Sequence, residues 1–321
     1  MRTLALIALL LCSCLAQAQP GKTWRIGVLE TTSIAMNAAN LGAFRKGLRE
    51  LCYVEGKNLV IEYRTAEGRA EKFNDLAAEL MRAKVDVIVT RGTPATQAAK
   101  TASNTVPIVA AAFGDPVGSG FAKSLSRPGG NITGLSSATP DLAAKRVHLL
   151  KETLPKAVRV GVLANLSNGV AAATARETQT AAQLIGLQAT VLDVRKPEDL
   201  PRAFEAASKQ QLAALVVLVD GLIQANARTI IELAAKHRLP AVYSSREFVD
   251  AGGLMSVGVS YPQLYYRAAA YVDKIFKGAK AGELPIEERL NVEVVINVKT
   301  ANGLAIPLSS TLKLRADVLV Q

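Results

Sequence analysis

The chain alternates apolar blocks of strand length with longer helical patterns, and this alternation restricts its fold more than any other feature. The blocks lack polar alternation, which is typical of strands covered on both faces. They read WRIGVLE, LVIEYR, VDVIVT, PIVAAAF, RVGVLANL, ATVLDV, LAALVVLVD and LPAVYSS. Because helical patterns separate most of these blocks, the order strand, helix, strand predicts parallel sheets built from right-handed crossovers.

The alternation pauses once, and the pause predicts two domains. Residues 126–142, SRPGGNITGLSSATPDL, concentrate Gly, Pro, Ser and Thr, with about four strands on either side. We interpret this stretch as the crossing between two Rossmann-like lobes, each a parallel sheet flanked by helices. The late helix and strand after residue 251 are expected to recross the interface and form a multi-strand hinge. Lobe 1 is then residues 19–135 with about 258–285, and lobe 2 is 136–257 with about 286–321.

The N-terminal segment, MRTLALIALLLCSCLAQAQP, has the order of features found in a cleavable secretory signal. Arg2 precedes an apolar block too short to span a bilayer, and the small-residue site Ala16-Gln17-Ala18 follows it. The prediction is export to the periplasm with cleavage near Ala18, so that residues 1–18 form the signal peptide. A second route is open, because Leu11-Cys12-Ser13-Cys14 resembles a lipoprotein box that would place a lipid on Cys14 and tether the protein to a membrane.

Charge, cysteine content and missing motifs restrict the binding partners and the chemistry that the chain can have. The 38 basic and 27 acidic residues give a formal net charge of +11, but the basic residues are scattered. Export and the absence of a dense basic run argue against nucleic acid. Cys52 would be the single cysteine left after cleavage, and we expect it to pack on a helix. The sequence has no zinc-ligand spacing, no common nucleophile or metalloprotease motif and no dinucleotide fingerprint, so we expect no metal, no cofactor and no enzyme.

Small polar side chains recur directly after the predicted strands. In open parallel sheets, a ligand lies beyond the carboxyl ends of the strands, where the following helices begin. These turns are residues 30–33, 90–94, 113–116, 165–168, 220–226 and 244–247. Hydroxyl, amide and carboxylate groups at these positions predict a small polar ligand in a cleft.

The turn after VDVIVT is the most specific of these features. Gly92 allows a close backbone approach, Thr93 is expected to cap the helix, and Pro94 suits its first turn. Free N–H groups there would favour an anion, and a carboxylate fits better than a phosphate because the phosphate-loop spacing is missing. The residues equally suit a simple turn. Asp115 and Asp220 are each open to two interpretations: partner of a ligand ammonium group, or cap of the following turn or helix.

Several longer segments carry a resemblance to a known family. They are GLRELCYVEGKNLVIEYRTAEG, DVIVTRGTPATQAAK, GDPVGSGFAKSLSRPGGNITGLS, LAAKRVHLLKETLP, LAAKHRLPAVYSSREFVDAGGLMS and AAAYVDKIFKGAKAGELPIE. Together they resemble the solute-binding components of ABC importers, in the group that includes tryptophan and tyrosine uptake binding proteins. The resemblance covers nearly the whole chain after the signal. It implies a type I periplasmic-binding-protein fold without catalysis, a small-molecule solute, and a membrane permease with its ATPase as partners.

The resemblance also implies positions for the ligand site. The family's ligand turns correspond to Thr31, Thr32, Ser33, Gly92, Thr93, Asp115, Asn165, Asp220, Ser244, Glu247 and Tyr261. Two departures matter. Cys52 stands where the pattern RELGYVEG has glycine, and SVGVSYPQLYYRAA replaces the SYGPN…YRRAA of many members. The second departure lies near the expected cleft, so the ligand of better-known relatives is not transferred.

Three functional hypotheses follow. The first is the importer binding protein of a small carboxylate-bearing solute, such as an amino acid, which is trapped by hinge closure. The second is a periplasmic sensory subunit of the same fold that reports the solute to a membrane receptor. The third is an exported enzyme, which would need a strongly perturbed acid or base in the cleft.

Overall fold

The protein folds into two α/β lobes, each with its own sheet. A computed structural model describes residues 22–137, 142–288 and 292–321. The predicted fold class is confirmed: both sheets are mainly parallel and have helices on their two faces. The predicted signal peptide, the cleavage site near Ala18 and the lipid site at Cys14 lie outside the described residues.

Lobe 1 is built on five parallel strands in the order β2-β1-β3-β4-β5. The strands are β1 (Trp24–Glu30), β2 (Leu59–Thr65), β3 (Val87–Arg91), β4 (Ile108–Phe113) and β5 (Ile132–Ser136). Strand β5 was not predicted, and it lies inside the stretch of residues 126–142 that was interpreted as the crossing between the lobes. Gly134 explains the difference, because a Cβ atom there would lie 2.1 Å from the Ala110 carbonyl oxygen. The glycine therefore permits close packing against β4 as well as a turn.

Lobe 2 is built on seven strands in the order β12-β11-β10-β9-β8-β6-β7. The pairs are parallel except for β10 and β11, which run antiparallel. The strands are β6 (Arg159–Ala164), β7 (Gln188–Asp193), β8 (Ala214–Val217), β9 (Ala241–Tyr243), β10 (Met255–Val259), β11 (Val292–Asn297) and β12 (Val318–Val320). The sheet is thus wider than the four strands expected, because the C-terminal strands extend its edge.

Helices cover both faces of each sheet. They are α1 (Ala38–Glu50), α2 (Phe73–Arg82), α3 (Thr93–Ala102), α4 (Leu142–Thr153), α5 (Gly169–Leu184), α6 (Asp199–Lys209), α7 (Gly221–Ala225), α8 (Ala227–Lys236), α9 (Arg246–Asp250), α10 (Tyr261–Phe276), α11 (Val298–Gly303) and α12 (Ser310–Arg315). Their apolar faces complete two core layers in each lobe. In lobe 1, α1 and α10 pack together on one face of the sheet, and α2 and α3 cover the other.

The chain crosses between the lobes three times. It passes from β5 to α4, from β10 to α10, and from the segment that ends at Glu288 into β11. The long helix α10 returns to lobe 1, where Gly47 of α1 lets the two helices approach: a Cβ atom there would lie 2.8 Å from the Tyr266 carbonyl oxygen. These crossings leave the carboxyl ends of both sheets facing each other.

Candidate functional site

A cleft of about 760 Å³ lies between the two lobes, at the carboxyl ends of the strands. This volume falls within the range of roughly 300–1,000 Å³ that is usual for small-molecule sites. Its apolar wall includes Ala112, Phe113, Val170 and Leu218. The helices α3 of lobe 1 and α5 of lobe 2 begin at this cleft, so the positive ends of their dipoles act on its contents.

A buried ion pair joins the lobes beside the cleft. Arg91, at the end of β3 in lobe 1, places Nη2 2.9 Å and 2.8 Å from the two carboxylate oxygens of Glu247 in lobe 2. The Arg91 side chain is only 2% exposed and that of Glu247 is 23% exposed. Asn40 of lobe 1 and Gln224 of lobe 2 also donate to Glu247, at 3.0 Å and 2.7 Å. Because these contacts exist only while the lobes are together, the structure is in a closed conformation.

Glu30, at the end of β1, is a second carboxylate beside Arg91. It is fully buried, and its Oε1 lies 3.9 Å from the Arg91 Nε. It accepts hydrogen bonds from the Thr31 N–H, the Asn37 amide and the Tyr265 hydroxyl. Burial raises the pKa of Glu30, and the neighbouring guanidinium opposes that rise only in part. For Arg91, burial lowers the pKa, but Glu247 and Glu30 outweigh it and hold that pKa well above its ordinary value.

Glycines let the lobes close tightly. A Cβ atom on Gly114 of lobe 1 would lie 2.5 Å from a methyl group of Val170 in lobe 2. Likewise, a Cβ atom on Gly68 would lie 2.5 Å from the Cβ of Ala225, and the φ angle of Gly68 is +79°. Any side chain at either position would meet the opposite lobe in the closed conformation.

The turn that links β3 to α3 lines the cleft. Gly92 has a φ of +86°, which strongly favours glycine, and its carbonyl accepts the N–H of Thr96. The N–H groups of Thr93 and Ala95 precede this first intrahelical bond and lie at the positive end of the helix. Thr93 is not the cap that the sequence predicted: it is the first helical residue, and its hydroxyl accepts the Gly114 N–H at 3.3 Å.

On the lobe 2 side, Asp220 is held by its own lobe. Its carboxylate caps α7 by accepting the Leu222 N–H at 2.8 Å, and it accepts the amides of Asn165 and Asn168 at 3.1 Å and 2.8 Å. Asp220 is 8% exposed and lines the cleft. Of the two interpretations that the sequence left open, the structure thus shows the helix cap.

Two further side chains mark the hinge end of the cleft. Tyr261, the first residue of α10, places its ring 4.1 Å from the guanidinium carbon of Arg91. Arg146 of α4 lines the cleft, is 4% exposed, and donates from Nε to the Val257 carbonyl at 2.9 Å. Burial lowers the pKa of Arg146 to about 10, so the side chain remains a cation at neutral pH.

Two negative findings apply to the described ranges. Residues 22–137, 142–288 and 292–321 contain no group of three or more His, Cys, Asp or Glu side chains placed to bind a metal ion. No helix within these ranges has the combination of length and apolar character needed to cross a bilayer.

The family model described as ABC transporter substrate binding protein matches residues 25–320. The chain belongs to this family. The resemblance seen in the sequence is therefore confirmed, and the two-lobed architecture of this substrate-binding protein is the type I periplasmic-binding-protein fold. Since the family consists of solute-binding proteins, the expectation that the chain is not an enzyme is also confirmed.

This substrate-binding protein is similar to one named relative and to several solved structures. A protein named tyrosine-binding protein, from Clostridioides difficile, is 27% identical over 261 residues, which are 81% of this chain and 75% of the relative. The crystal structure of a conserved domain protein from Vibrio cholerae has 29% identity and a TM-score of 0.87. An ABC domain from Streptococcus pneumonia, crystallised in complex with L-Trp, has 26% identity and a TM-score of 0.86. Each match to a solved structure covers 93% of this chain and 100% of the other.

The structure brings most of the predicted ligand residues to one cleft. Those that line it are Thr31, Gly92, Thr93, Asp115, Asp220, Ser244 and Tyr261. Asp115 is exposed and accepts the Gly118 N–H at 2.8 Å, and the Ser244 hydroxyl donates to the Val217 carbonyl. Whether these residues touch a ligand stays a prediction.

Four predicted residues do not line the cleft. Thr32 is buried in lobe 1, and the hydroxyl of Ser33 accepts the Met36 N–H at 3.4 Å within the loop before α1. Asn165 binds Asp220, and Glu247 binds Arg91. These side chains are engaged in holding the walls of the cleft or in joining the lobes.

Sequence reasoning missed the two buried arginines, although both left a signal. Arg91 ends an otherwise apolar strand, inside the turn that was singled out for Gly92. Arg146 shares its helix face with Leu142, Leu149 and Leu150, which are all buried. A charged residue on the apolar face of a helix needs a partner inside the protein or in a ligand.

Proposed function

We propose that this protein is the extracytoplasmic solute-binding component of an ABC importer, and that it captures an amino acid by hinge closure. The main observation in support is the position of the cleft. It lies between two lobes that are joined by the Arg91–Glu247 pair, and the helices α3 and α5 begin at this cleft. Helix N-termini favour the carboxylate that every amino acid carries. Closure around the solute follows the usual shift between open and closed states in such proteins.

The side chain of the amino acid is proposed to be aromatic. Two observations support this: the relatives named above include a tyrosine-binding protein and a domain crystallised with L-Trp, and the cleft has an apolar wall formed in part by Phe113 and Leu218. A large planar side chain would bury most of its surface against such a wall.

Delivery to a permease and its ATPase completes the proposal. The family membership supports a membrane transporter as partner. Residues 1–18 would direct the chain to the periplasm, and Cys14 would provide a lipid anchor if that route is used. No nucleic acid is involved in this proposal.

A thermal-shift panel tests the proposed function. The chain without residues 1–18 is unfolded and refolded to remove copurified solute, and is then melted with amino acids, dicarboxylates and neutral sugars. A ligand at 100 times its Kd stabilises the folded protein by about 2.7 kcal/mol, which is readily detected. Stabilisation by one or a few amino acids would support the proposal. Stabilisation only by neutral sugars, or by none of the panel, would overturn it.

A further inference from the structure

Arg146 is a buried cation that faces the solute cleft. It lies in the first half of α4, on the helix face that packs into the core of lobe 2, and is 4% exposed. Its Nε donates to the carbonyl of Val257 in β10, so the guanidinium is anchored to the sheet at one end. The same side chain is part of the cleft lining. Its position is therefore fixed by the protein, while its charge is presented to the cleft.

Arg146 and Arg91 differ in the carboxylates that surround them. Arg91 has carboxylate oxygens of Glu247 and Glu30 within 4.0 Å. Within the described residues, no carboxylate oxygen lies that close to a nitrogen of Arg146. A buried charge without an opposite charge is costly, and burial accordingly lowers the pKa of Arg146 to about 10, while Tyr261 acts in the other direction.

The carboxylates that line the cleft are placed elsewhere. Asp220 accepts three hydrogen bonds from its own lobe. Asp115 and Glu177 are exposed, and Glu288 is half-buried; each lines the cleft, but none reaches Arg146. Among the residues that the structure describes, the cation therefore has no carboxylate partner and can accept an anionic group that enters with the solute.

We infer that Arg146 binds the α-carboxylate of the captured amino acid and makes the site selective for solutes that keep this group. The inference rests on the proposed function and adds a side chain, Arg146, to the helix N-termini that favour the carboxylate. The sequence analysis had predicted this role for the turn at Gly92. A carboxylate would supply the counter-ion that the described residues do not provide, through charge-assisted hydrogen bonds to the guanidinium.

The location of Arg146 also couples this contact to hinge closure. Val257, which holds the guanidinium, lies in β10, and that strand ends at Val259 just before the crossing into α10. Tyr261 then lines the cleft from lobe 1. A carboxylate bound by Arg146 would thus lie where one lobe continues into the other, and its binding would favour the closed arrangement.

Calorimetric titration of four proteins with two pairs of ligands tests the inference. The proteins are the wild type, Arg146→Gln, Arg146→Lys and Lys145→Gln. Lys145 is exposed on the same helix, so its substitution removes the same charge without touching the cleft. The ligands are L-tyrosine with tyramine and L-tryptophan with tryptamine, and each pair differs only in the carboxylate.

The wild type and Lys145→Gln should prefer each amino acid over its amine. Arg146→Gln should lose roughly 10- to 100-fold in affinity for the amino acids, as expected for a charge-assisted contact. Its affinity for the amines should stay equal or rise. Arg146→Lys keeps the charge but loses the planar guanidinium. Its affinity for the amino acids should therefore lie between those of the wild type and Arg146→Gln.

The outcomes separate this inference from the proposed function. If the wild type binds the amino acids and Arg146→Gln keeps the full preference over the amines, Arg146 does not bind the carboxylate and the inference is wrong. If Arg146→Gln fails to melt cooperatively without ligand, the titration of Arg146→Lys is the deciding measurement. An unchanged preference of that variant for the amino acids over the amines would overturn the inference equally. If neither the wild type nor Lys145→Gln binds any amino acid in the thermal-shift panel, the proposed function fails, and this inference fails with it.

Discussion

Replacing Glu247 by Gln should open the two lobes without altering the solute contacts. The substitution keeps the size of the side chain and removes the charge that pairs with Arg91. Glu247 does not line the cleft, although its partners Arg91 and Gln224 do, so its main effect on binding should come through the equilibrium between open and closed forms. The sequence had predicted a ligand contact instead, so the two interpretations make different predictions.

The expected magnitude follows from the geometry of the pair. A charge-assisted hydrogen bond contributes about 1.5–3 kcal/mol, and breaking a fully buried ion pair costs roughly 3–5 kcal/mol. Glu247 is 23% exposed, so water screens the pair in part, and a loss of about 2 kcal/mol in the closed form is expected. This corresponds to a Kd that rises by at most about 30-fold, and by less in proportion to the closed fraction of the ligand-free wild type.

Two measurements check this prediction. Calorimetry with several amino acids should show the same fold loss of affinity for each one, so that their order of preference is unchanged. Small-angle scattering of the ligand-free protein should show a larger radius of gyration for Glu247→Gln than for the wild type.

The matched control is Asp250→Asn, which removes the same charge from the same helix. Among the described residues, Asp250 pairs with Arg246, and both side chains are exposed, at 51% and 40%. Such a pair contributes about 0–1 kcal/mol, so affinity and scattering should change little. The reasoning would be refuted if Glu247→Gln weakened some amino acids much more than others, or if it changed neither affinity nor scattering.

Three further predictions concern closure, backbone strain and pH. Gly114→Ala should weaken solute binding, measured by calorimetry, because the new methyl group meets Val170 only on closure. Thermal unfolding of the ligand-free protein should stay nearly unchanged. A variant with the same solute affinity as the wild type would contradict this prediction. Cys52→Gly should raise the free energy of unfolding by about 0.5–1 kcal/mol in urea, since Cys52 has a φ of +67°; a fall would mean that packing by the thiol matters more. Burial raises the pKa of Glu30 above its ordinary 4.5, so the folded protein holds this proton more tightly than the unfolded chain. The stability of the wild type relative to Glu30→Gln should therefore fall as the pH rises from 4.5 through the raised pKa; urea unfolding across that window tests the sign, and a rise would show that the attraction of Arg91 dominates.

The sequence alone determined most of the elements, though not β5, and the edge of the sheets at which the site lies. The block VDVIVT became β3, and the pattern TPATQAAKTAS became α3, because the burial of a strand and the start of a helix depend on neighbouring residues. The same local logic placed Gly92 at a turn with positive φ. The family resemblance, by contrast, showed that Cys52 stands where glycine is expected, and the backbone there has a φ of +67°, which favours glycine.

Only the tertiary structure decided which side chains meet. Arg91 and Glu247 are separated by 156 residues and belong to different lobes, so no local pattern could pair them. The same holds for Asp220, whose carboxylate accepts hydrogen bonds from Asn165 and Asn168 in the loop after β6. Sequence spacing fixes the face of a helix or strand on which a residue lies. Whether a charge such as that of Arg146 acquires a counter-ion depends on how separate elements pack, and the packing brings Arg146 to the lining of the cleft.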